Sequence, residues 1–157
     1  AVEKLTETGA DELLFVQTER SVNRDPPSPA KHERWSRLSI AAVKQSMRLS
    51  VPQLRCIGGM DELCRLVPDY GGALLLSPDG IPIIKAVEKL ASSSPLSMLI
   101  VAGPEGGFTN DEELRLASAG CLVAGLGNQR LRIETAVVAA CCAVRFFYDY
   151  KYTSLAN

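Results

Sequence analysis

Two glycine-containing stretches in the last third of the chain carry the residue types best suited to ligand chemistry. The first, Gly103–Phe108, reads GPEGGF and follows the apolar run Ser97–Ala102. The second, Leu126–Ala136, reads LGNQRLRIETA and follows the apolar run Cys121–Ala124. Glycine lets a ligand approach the backbone closely, and open α/β sheets bind ligands at the carboxyl ends of their strands. The two stretches therefore predict one composite pocket that combines backbone groups with glutamate and arginine.

The first stretch offers backbone amides beside a predicted helix start. The amides around Gly106 and Gly107 are predicted to be free donors, suited to an adenine edge or a carboxylate. The stretch matches neither GxxxxGK[ST] nor GxGxxG, so a phosphate cradle or a dinucleotide site is disfavoured. The alternative interpretation is an ordinary turn in which Glu105 is solvated.

The second stretch joins charge to an apolar helix. Arg130 and Arg132 flank Leu131, and Glu134–Thr135 opens a helix whose next nine residues, Ala136–Val144, are all apolar. A helix that is apolar on every side is buried, either in the core or against a partner chain. Glutamate and threonine at a helix start also suit the helix dipole and the cap, and those structural roles are compatible with a functional one.

A row of cations on the predicted helix His32–Arg48 is the third candidate. At about 100° per residue, the cations fall within a stripe roughly 80° wide. They are Arg34, Arg37, Lys44 and Arg48, with Gln45 beside them. Such a stripe suits a phosphate backbone, and an ordinary solvated face is the alternative.

Short apolar strands alternate with predicted helices, which favours a single α/β domain with a mostly parallel sheet. Thr109 and Glu112 have the spacing of a capping box, and Gly120 suits the end of that helix. Ser77–Gly80 is predicted to be a turn, and Arg20–Ala30 a proline-rich loop. Strands are predicted at 13–16, 73–76, 97–102 and 121–124, and helices at 1–8, 32–48, 60–67, 83–90, 109–119 and 134–150.

Composition excludes several classes of function. The 157 residues are 46% hydrophobic with a net charge of −1, so any contact with nucleic acid must rest on local patches. No apolar segment approaches the ~20 residues that span a bilayer. The five cysteines form no CxxC pair and His32 is the only histidine. Small, buried, reduced thiols are therefore predicted, and a zinc site is disfavoured.

Taken together, these motifs resemble the RsmE-type family of small-subunit rRNA uridine-N3 methyltransferases, within the SPOUT superfamily. The family's GPEGGF is present at Gly103–Phe108. Its LG-x-x-ILR-x-ETA corresponds to Leu126–Ala136, with Arg130 and Leu131 in the I-L positions.

The resemblance extends to the first half of the chain. The family's RW…A-x-QS-x-R…P helix is similar to the segment from Arg34 to Pro52. Its TE-x-G and TERS motifs match Thr6–Gly9 and Thr18–Ser21. The match therefore spans nearly the whole chain in order.

The resemblance implies the SPOUT methyltransferase fold over residues 1–157: an α/β fold whose mostly parallel sheet, flanked by helices, ends in a deep C-terminal trefoil knot. It implies S-adenosyl-L-methionine bound in the knot, a homodimer with its site at the interface, and ribosomal RNA as partner. Family members carry an N-terminal RNA-binding barrel, and this chain begins after it, with the first strand also expected to be missing. The implied location is the cytoplasm, or a chloroplast or mitochondrion in a eukaryotic host.

Roles for single residues follow from the resemblance and from the strand-end positions. Arg132 is expected to stabilise the anion that uridine forms on losing its N3 proton, and Glu105 or Glu134 to accept that proton. No metal is expected, because the leaving group needs no Lewis acid. The expected cofactor-binding residues are Leu76, Gly103, Pro104, Glu105, Gly106, Gly107, Leu126, Gly127, Leu131, Arg132 and Thr135. The expected RNA-binding residues are Arg34, Arg37, Lys44, Gln45 and Arg48.

Three alternatives stay open. One is a SPOUT methyltransferase for another RNA position or a ribose hydroxyl, although the motif Arg132–Ala136 favours the base-N3 branch. Another is an inactive RNA-binding module that has lost its cofactor. The last is an unrelated nucleotide-binding α/β enzyme, which the missing dinucleotide fingerprint disfavours.

Overall fold

The computed structural model describes residues 1–22, 27–91 and 97–153, in which helices and strands alternate. Within the predicted loop 20–30, residues 23–26 lie outside the described residues. A 3₁₀ turn at Val67–Asp69 leads into the third strand. The elements are α1 (Val2–Glu7), β1 (Glu12–Val16), α2 (Pro29–Gln45), β2 (Gln53–Ile57), α3 (Met60–Leu66), β3 (Gly72–Pro82), α4 (Ile83–Ala91), β4 (Met98–Val101), α5 (Asn110–Ala119), β5 (Leu122–Gly125) and α6 (Ile133–Thr153).

All the pairings between these strands are parallel. β1 pairs with β2, from Glu12 opposite Gln53 to Val16 opposite Ile57. β3 lies between β4 and β5 in a second sheet. The predicted α/β architecture of parallel strands flanked by helices is confirmed, although the described strands pair as two sheets rather than one.

β3 is interrupted near its carboxyl end. Leu76 and Ile81 both pair with Ala124 of β5, so residues 77–80 leave the ladder and return to it. Gly80 passes so close to β5 that a Cβ there would stand 2.6 Å from the Ala124 backbone nitrogen. Only a residue without a side chain permits that approach. The segment predicted as a turn after the strand is thus an excursion within it.

Two apolar clusters hold the sheets and helices together. Leu75 and Phe108 belong to the cluster that also contains α3 and the buried side of α5. Leu74 belongs to the other cluster, with side chains of α4 and Ala140 of α6. Neighbouring strand residues point to opposite faces, which is why Leu74 and Leu75 are both fully buried yet serve different clusters.

α2 ends before the predicted Arg48. Its last residue is Gln45, and the N–H of Ser46 donates to the Ala42 carbonyl. Met47 then has φ 55°, in the left-handed region that residues other than glycine seldom adopt. The predicted continuation of the helix to Arg48 is therefore wrong, and that residue lies beyond the helix.

The predicted ends of α5 are confirmed. The Thr109 hydroxyl accepts a hydrogen bond from the Glu112 N–H, and the Glu112 carboxylate accepts one from the Thr109 N–H. Gly120 ends the helix with φ 115°. Within the described residues, no helix combines the length and apolar character needed to cross a membrane.

Candidate functional site

The two glycine-containing stretches meet at one edge of the sheet, because they follow β4 and β5, which pair in parallel with either side of β3. With the excursion of β3 they line one cavity of about 500 Å³. This volume falls in the range of small-molecule sites, roughly 300–1,000 Å³. The composite pocket expected from the sequence is present at the carboxyl edge of the three-stranded sheet.

Most of the residues expected to bind a cofactor line this cavity. Thr135 does not, and it is exposed in the first turn of α6. Those that do are Leu76, Gly103, Pro104, Glu105, Gly106, Gly107, Leu126, Gly127, Leu131 and Arg132.

Of the residues expected to take part in chemistry, Arg132 and Glu105 line the cavity. Glu134 is exposed and outside the lining. Both lining side chains belong to exposed residues, and within the described part of the chain Arg132 forms no ion pair. Arg132 and Glu105, which follow different strands, therefore line the same cavity.

Sequence reasoning missed part of the lining. Ser77 and Pro78 come from the β3 excursion, and the strand-end rule that identified the glycine stretches would have identified them too. Glu113 of α5 has no comparable signal. Ala102 and Ala124 were missed as well. Further lining residues lie within the two predicted stretches but are not among those expected to bind the cofactor: Phe108, Gln129, Arg130, Ile133 and Ala136.

The first stretch is tightly folded around its own backbone. A Cβ on Gly103 would stand 3.0 Å from the Phe108 ring, and that ring is buried in the core. The N–H of Gly107, where φ is 69°, donates to the Pro104 carbonyl at 2.8 Å. The expectation that this amide is a free donor is therefore wrong, because the turn already uses it.

The second stretch forms the wall opposite. Gly127 has φ 105°, which turns the chain away from β5. The Arg132 carbonyl accepts the first hydrogen bond of α6, from the Ala136 N–H at 2.9 Å. Since the backbone of Arg132 is fixed by the helix start, its guanidinium extends from a rigid base.

The predicted cation stripe on α2 divides in two. Arg34, Arg37, Lys44 and Gln45 are exposed on the helix. Arg48 has a side chain only 13% exposed and is bound elsewhere. Its guanidinium donates to the carbonyls at the carboxyl end of α1 and to a carboxylate: Thr6 at 2.8 Å, Ala10 at 2.7 Å and Asp11 at 2.8 Å.

Trp35 of α2 stacks on Phe15 of β1 with ring centroids 3.9 Å apart. The Lys31 ammonium lies 5.3 Å from the centre of the Trp35 ring. The aromatic pair joins the helix to the first sheet, while Arg34, Arg37 and Lys44 are exposed to solvent.

The cysteines are free thiols in different surroundings. Cys121 is buried, and that burial, with Cys64 nearby, raises its pKa to about 12. Cys56 is exposed, and Cys64, Cys141 and Cys142 are partly covered, so the prediction of buried thiols is wrong at Cys56 and fully met only at Cys121. The described residues contain no cluster of histidine, cysteine and acidic side chains able to hold a metal ion.

Known proteins are similar to this chain in sequence and in fold. A protein of Bacillus subtilis named ribosomal RNA small subunit methyltransferase E is 33% identical over 151 residues, which cover 92% of this chain and 59% of the relative. The protein of the same name from Mycobacterium bovis is 32% identical, over 92% of this chain and 56% of its own length. The chain thus spans less than two thirds of these relatives.

A crystal structure agrees with this similarity. Ribosomal RNA small subunit methyltransferase E from Neisseria gonorrhoeae, bound to S-adenosyl methionine, superposes with a TM-score of 0.78 at 30% identity. The match covers 92% of this chain and 58% of that one. A family model described as an RNA methyltransferase domain matches residues 1–145, and the chain belongs to that family.

Proposed function

We propose that this chain is the catalytic domain of an S-adenosylmethionine-dependent enzyme that methylates N3 of a uridine in small-subunit ribosomal RNA. The observation that carries the proposal is the single cavity lined by both glycine-containing stretches. The relatives' names and the methyl donor bound to the Neisseria gonorrhoeae protein support the choice of reaction and cofactor.

The cavity fits the methyl donor chemically. Leu76, Leu126, Leu131 and Ile133 give it apolar walls suited to a flat adenine ring. Glycines at both strand ends leave backbone groups accessible for the polar edges of the ligand. When bound, S-adenosylmethionine supplies a methyl group on a sulfonium centre.

The protein's part in the reaction is to orient the uridine and to manage one proton. Loss of the N3 proton leaves an anion spread over the ring carbonyls, and the Arg132 guanidinium at the cavity stabilises that charge. Glu105 accepts the proton, because it lines the cavity whereas Glu134 does not. Holding the reactants in line contributes most of the remaining acceleration.

RNA contact rests on the exposed face of α2. Arg34, Arg37, Lys44 and Gln45 are exposed there, and the three cations suit successive phosphates. A local patch is required because the net charge of the chain is −1. Arg48 is left out of this surface, since its guanidinium closes the end of α1.

A homodimer accounts for the outer side of α6. Val137 and Val138 are only partly covered, and Phe146 and Tyr150 are 67% and 77% exposed. Exposed and partly covered apolar side chains along one helix suit contact with a second copy of the chain. Sedimentation of the purified protein tests this part of the proposal, which predicts a mass near twice 16.9 kDa.

We also propose that residues 1–157 form one SPOUT domain whose C-terminal segment passes through a trefoil knot. Gly125 supports this, because a Cβ there would stand 2.9 Å from the Gly80 carbonyl oxygen, so the excursion of β3 returns in contact with the end of β5. After β5 the chain returns to pack α6 on α4 and β4. An experimental density map tests the threading by tracing residues 77–82 and 122–140.

Titration calorimetry with S-adenosylmethionine and with S-adenosylhomocysteine tests cofactor binding. Incubation with the labelled methyl donor and small subunits from a strain without the modification tests the reaction. Methylation at N3 blocks base pairing, so reverse transcription should stop at the modified uridine. A stop at a nucleotide other than uridine, or label on a ribose, would assign the chain to another SPOUT activity. Absence of cofactor binding would instead favour an inactive RNA-binding module.

A further inference from the structure

Arg20, in the turn Thr18–Ser21, contacts the glycine loop from outside the cavity. Its Nη1 atom donates to the Gly106 carbonyl at 2.9 Å and to the Phe108 carbonyl at 3.2 Å. The aliphatic part of the side chain packs on the same loop, with its Cβ 3.4 Å from the point where a Cβ on Gly106 would stand. One guanidinium nitrogen therefore bridges two carbonyls of the loop.

Each of these two peptide groups is also held at its N–H. The Gly106 carbonyl shares its planar peptide unit with the Gly107 N–H, which donates to the Pro104 carbonyl at 2.8 Å. The Phe108 carbonyl shares a unit with the Thr109 N–H, which donates to Glu112 at 2.9 Å. Both peptide groups are therefore hydrogen-bonded at the carbonyl oxygen and at the N–H.

Glu112 completes the arrangement from α5. Glu112 is only 5% exposed, and a buried carboxylate of this kind must be hydrogen-bonded. One oxygen accepts from the Thr109 N–H and the other from the Glu19 N–H, each at 2.9 Å. A ring of contacts therefore runs from Arg20 through the loop to Glu112 and back to the residue next to Arg20.

The turn that presents Arg20 is closed by its own hydrogen bonds. The Thr18 N–H donates to the Ser21 hydroxyl at 3.0 Å, and the Ser21 N–H donates to the Thr18 carbonyl at 3.1 Å. The turn follows β1 directly, so the first sheet supplies a fixed base for it.

We propose that Arg20 is a positioning residue that holds the loop 103–108 in the conformation that binds the methyl donor, with Glu112 anchoring the turn. The proposal rests on the proposed function, since that loop forms one wall of the cofactor cavity. Neither Arg20 nor Glu112 lines the cavity, so both act through the loop.

Loss of Arg20 should lower the fraction of molecules whose loop is ready to bind. The apparent dissociation constant then rises by the inverse of that fraction, while bound cofactor restores the loop. We expect Arg20→Ala to weaken S-adenosylmethionine binding about tenfold, the effect of one charge-assisted hydrogen bond. At saturating cofactor, kcat should stay within about threefold of the wild-type value.

The test is calorimetry with S-adenosylmethionine on the whole chain, with Arg115→Ala as matched control. Arg115 lies on α5 and pairs with Asp61 of α3, so its removal loosens the same helix without touching the loop. Arg20→Lys, which keeps a donor, should recover part of the affinity. Glu112→Gln, which leaves one of its two N–H donors without an acceptor, should weaken binding in the same direction and serves if Arg20→Ala does not fold.

A tenfold loss in Arg20→Ala beside an Arg115→Ala variant within twofold of wild type supports the proposal. Wild-type affinity in Arg20→Ala overturns it and leaves the proposed function standing. Equal losses in Arg20→Ala and Arg115→Ala overturn it as well, because the effect is then general loosening. Failure of the wild-type chain to bind the cofactor overturns both proposals together.

Discussion

The Tyr70 hydroxyl donates a 2.7 Å hydrogen bond to the Glu12 carboxylate, which joins the segment after α3 to β1. The other oxygen of that carboxylate accepts from Arg55 of β2 at 2.8 Å. Desolvation raises the pKa of Glu12, but the hydrogen bonds from Tyr70 and Arg55 outweigh it and leave the pKa below its usual range. Burial and the contact with Glu12 raise the pKa of Tyr70 to about 12.

Replacing Tyr70 by Phe should therefore destabilise the fold without affecting the pocket. One hydrogen bond to a charged, partly exposed group contributes about 1 kcal/mol to the free energy of unfolding. Urea unfolding measures this loss, and calorimetry should give unchanged affinity for S-adenosylmethionine. A variant as stable as wild type would show that the Tyr70–Glu12 contact contributes nothing.

The same pair predicts how stability depends on pH. Because the pKa of Glu12 is lowered, its contribution is complete above 4.5 and is lost as the pH falls through the lowered value. Because the pKa of Tyr70 is raised, its contribution is complete below 10.0 and is lost as the pH rises through about 12. Unfolding curves of wild type and Tyr70→Phe should converge at both extremes, and a constant gap would contradict this.

Comparing variants of Arg48 and Arg37 distinguishes a role in stability from a role in RNA binding. Arg48→Ala removes a guanidinium that donates to two backbone carbonyls at the end of α1, and should cost about 2 kcal/mol of stability. Arg37→Ala, on the exposed face of α2, should leave stability unchanged. It should weaken RNA binding and reduce the slope of log K against log salt by about one. If Arg48→Ala weakened RNA binding and left stability unchanged, Arg48 would belong to the RNA-binding surface after all.

Some elements of the fold can be predicted from the sequence, and others cannot. The strand at Ala73–Leu76 follows from an apolar run, and the pocket behind Gly103–Phe108 from an apolar run that ends in glycine. Both are local signals. β2 carries no such signal, because Gln53, Arg55 and Cys56 are exposed and leave only a weak alternation. A strand with little burial is indistinguishable from a loop when read alone.

Contacts between distant segments were beyond the sequence as well. Arg48 continues the cation stripe only if α2 stays helical, and the positive φ of Met47 ends that possibility. The Gly107 amide looks free until the Pro104 carbonyl is seen to accept from it. Arg20 belongs to a recognisable motif, yet nothing in that motif names Gly106 as its acceptor. Such pairings depend on tertiary packing.

Thiol reactivity tests the burial of Cys121. Burial raises its pKa to about 12, and only the thiolate reacts with an aromatic disulfide reagent. At pH 8 Cys121 should react at least about 100-fold more slowly than the exposed Cys56. Cys56→Ser should remove the fast labelling that Cys56 contributes. Unfolding the protein should make Cys121 react as fast as Cys56. Rapid labelling of native Cys121 would mean that the cluster around it opens.

The proton acceptor is decided by comparing two carboxylates that differ in position. Glu105 lines the cavity and Glu134 does not. A positioned general base contributes about 10²–10⁴-fold, so Glu105→Gln should lower kcat in that range and Glu134→Gln by much less. Single-turnover methylation at saturating cofactor measures both. A larger loss in Glu134→Gln would move the base to the start of α6.

Arg132 carries the strongest expectation about catalysis. Arg132 lines the cavity in which the proposed reaction would form the uridine anion, so Arg132→Ala should lower kcat by about 10²–10³-fold. Affinity for S-adenosylmethionine should change by less than about threefold, because stabilisation of a developing charge is absent from the ground state. Arg132→Lys, which keeps the charge but not its planar spread, should recover only part of the rate. A loss confined to cofactor affinity would instead make Arg132 a binding residue, and full activity would remove it from the mechanism.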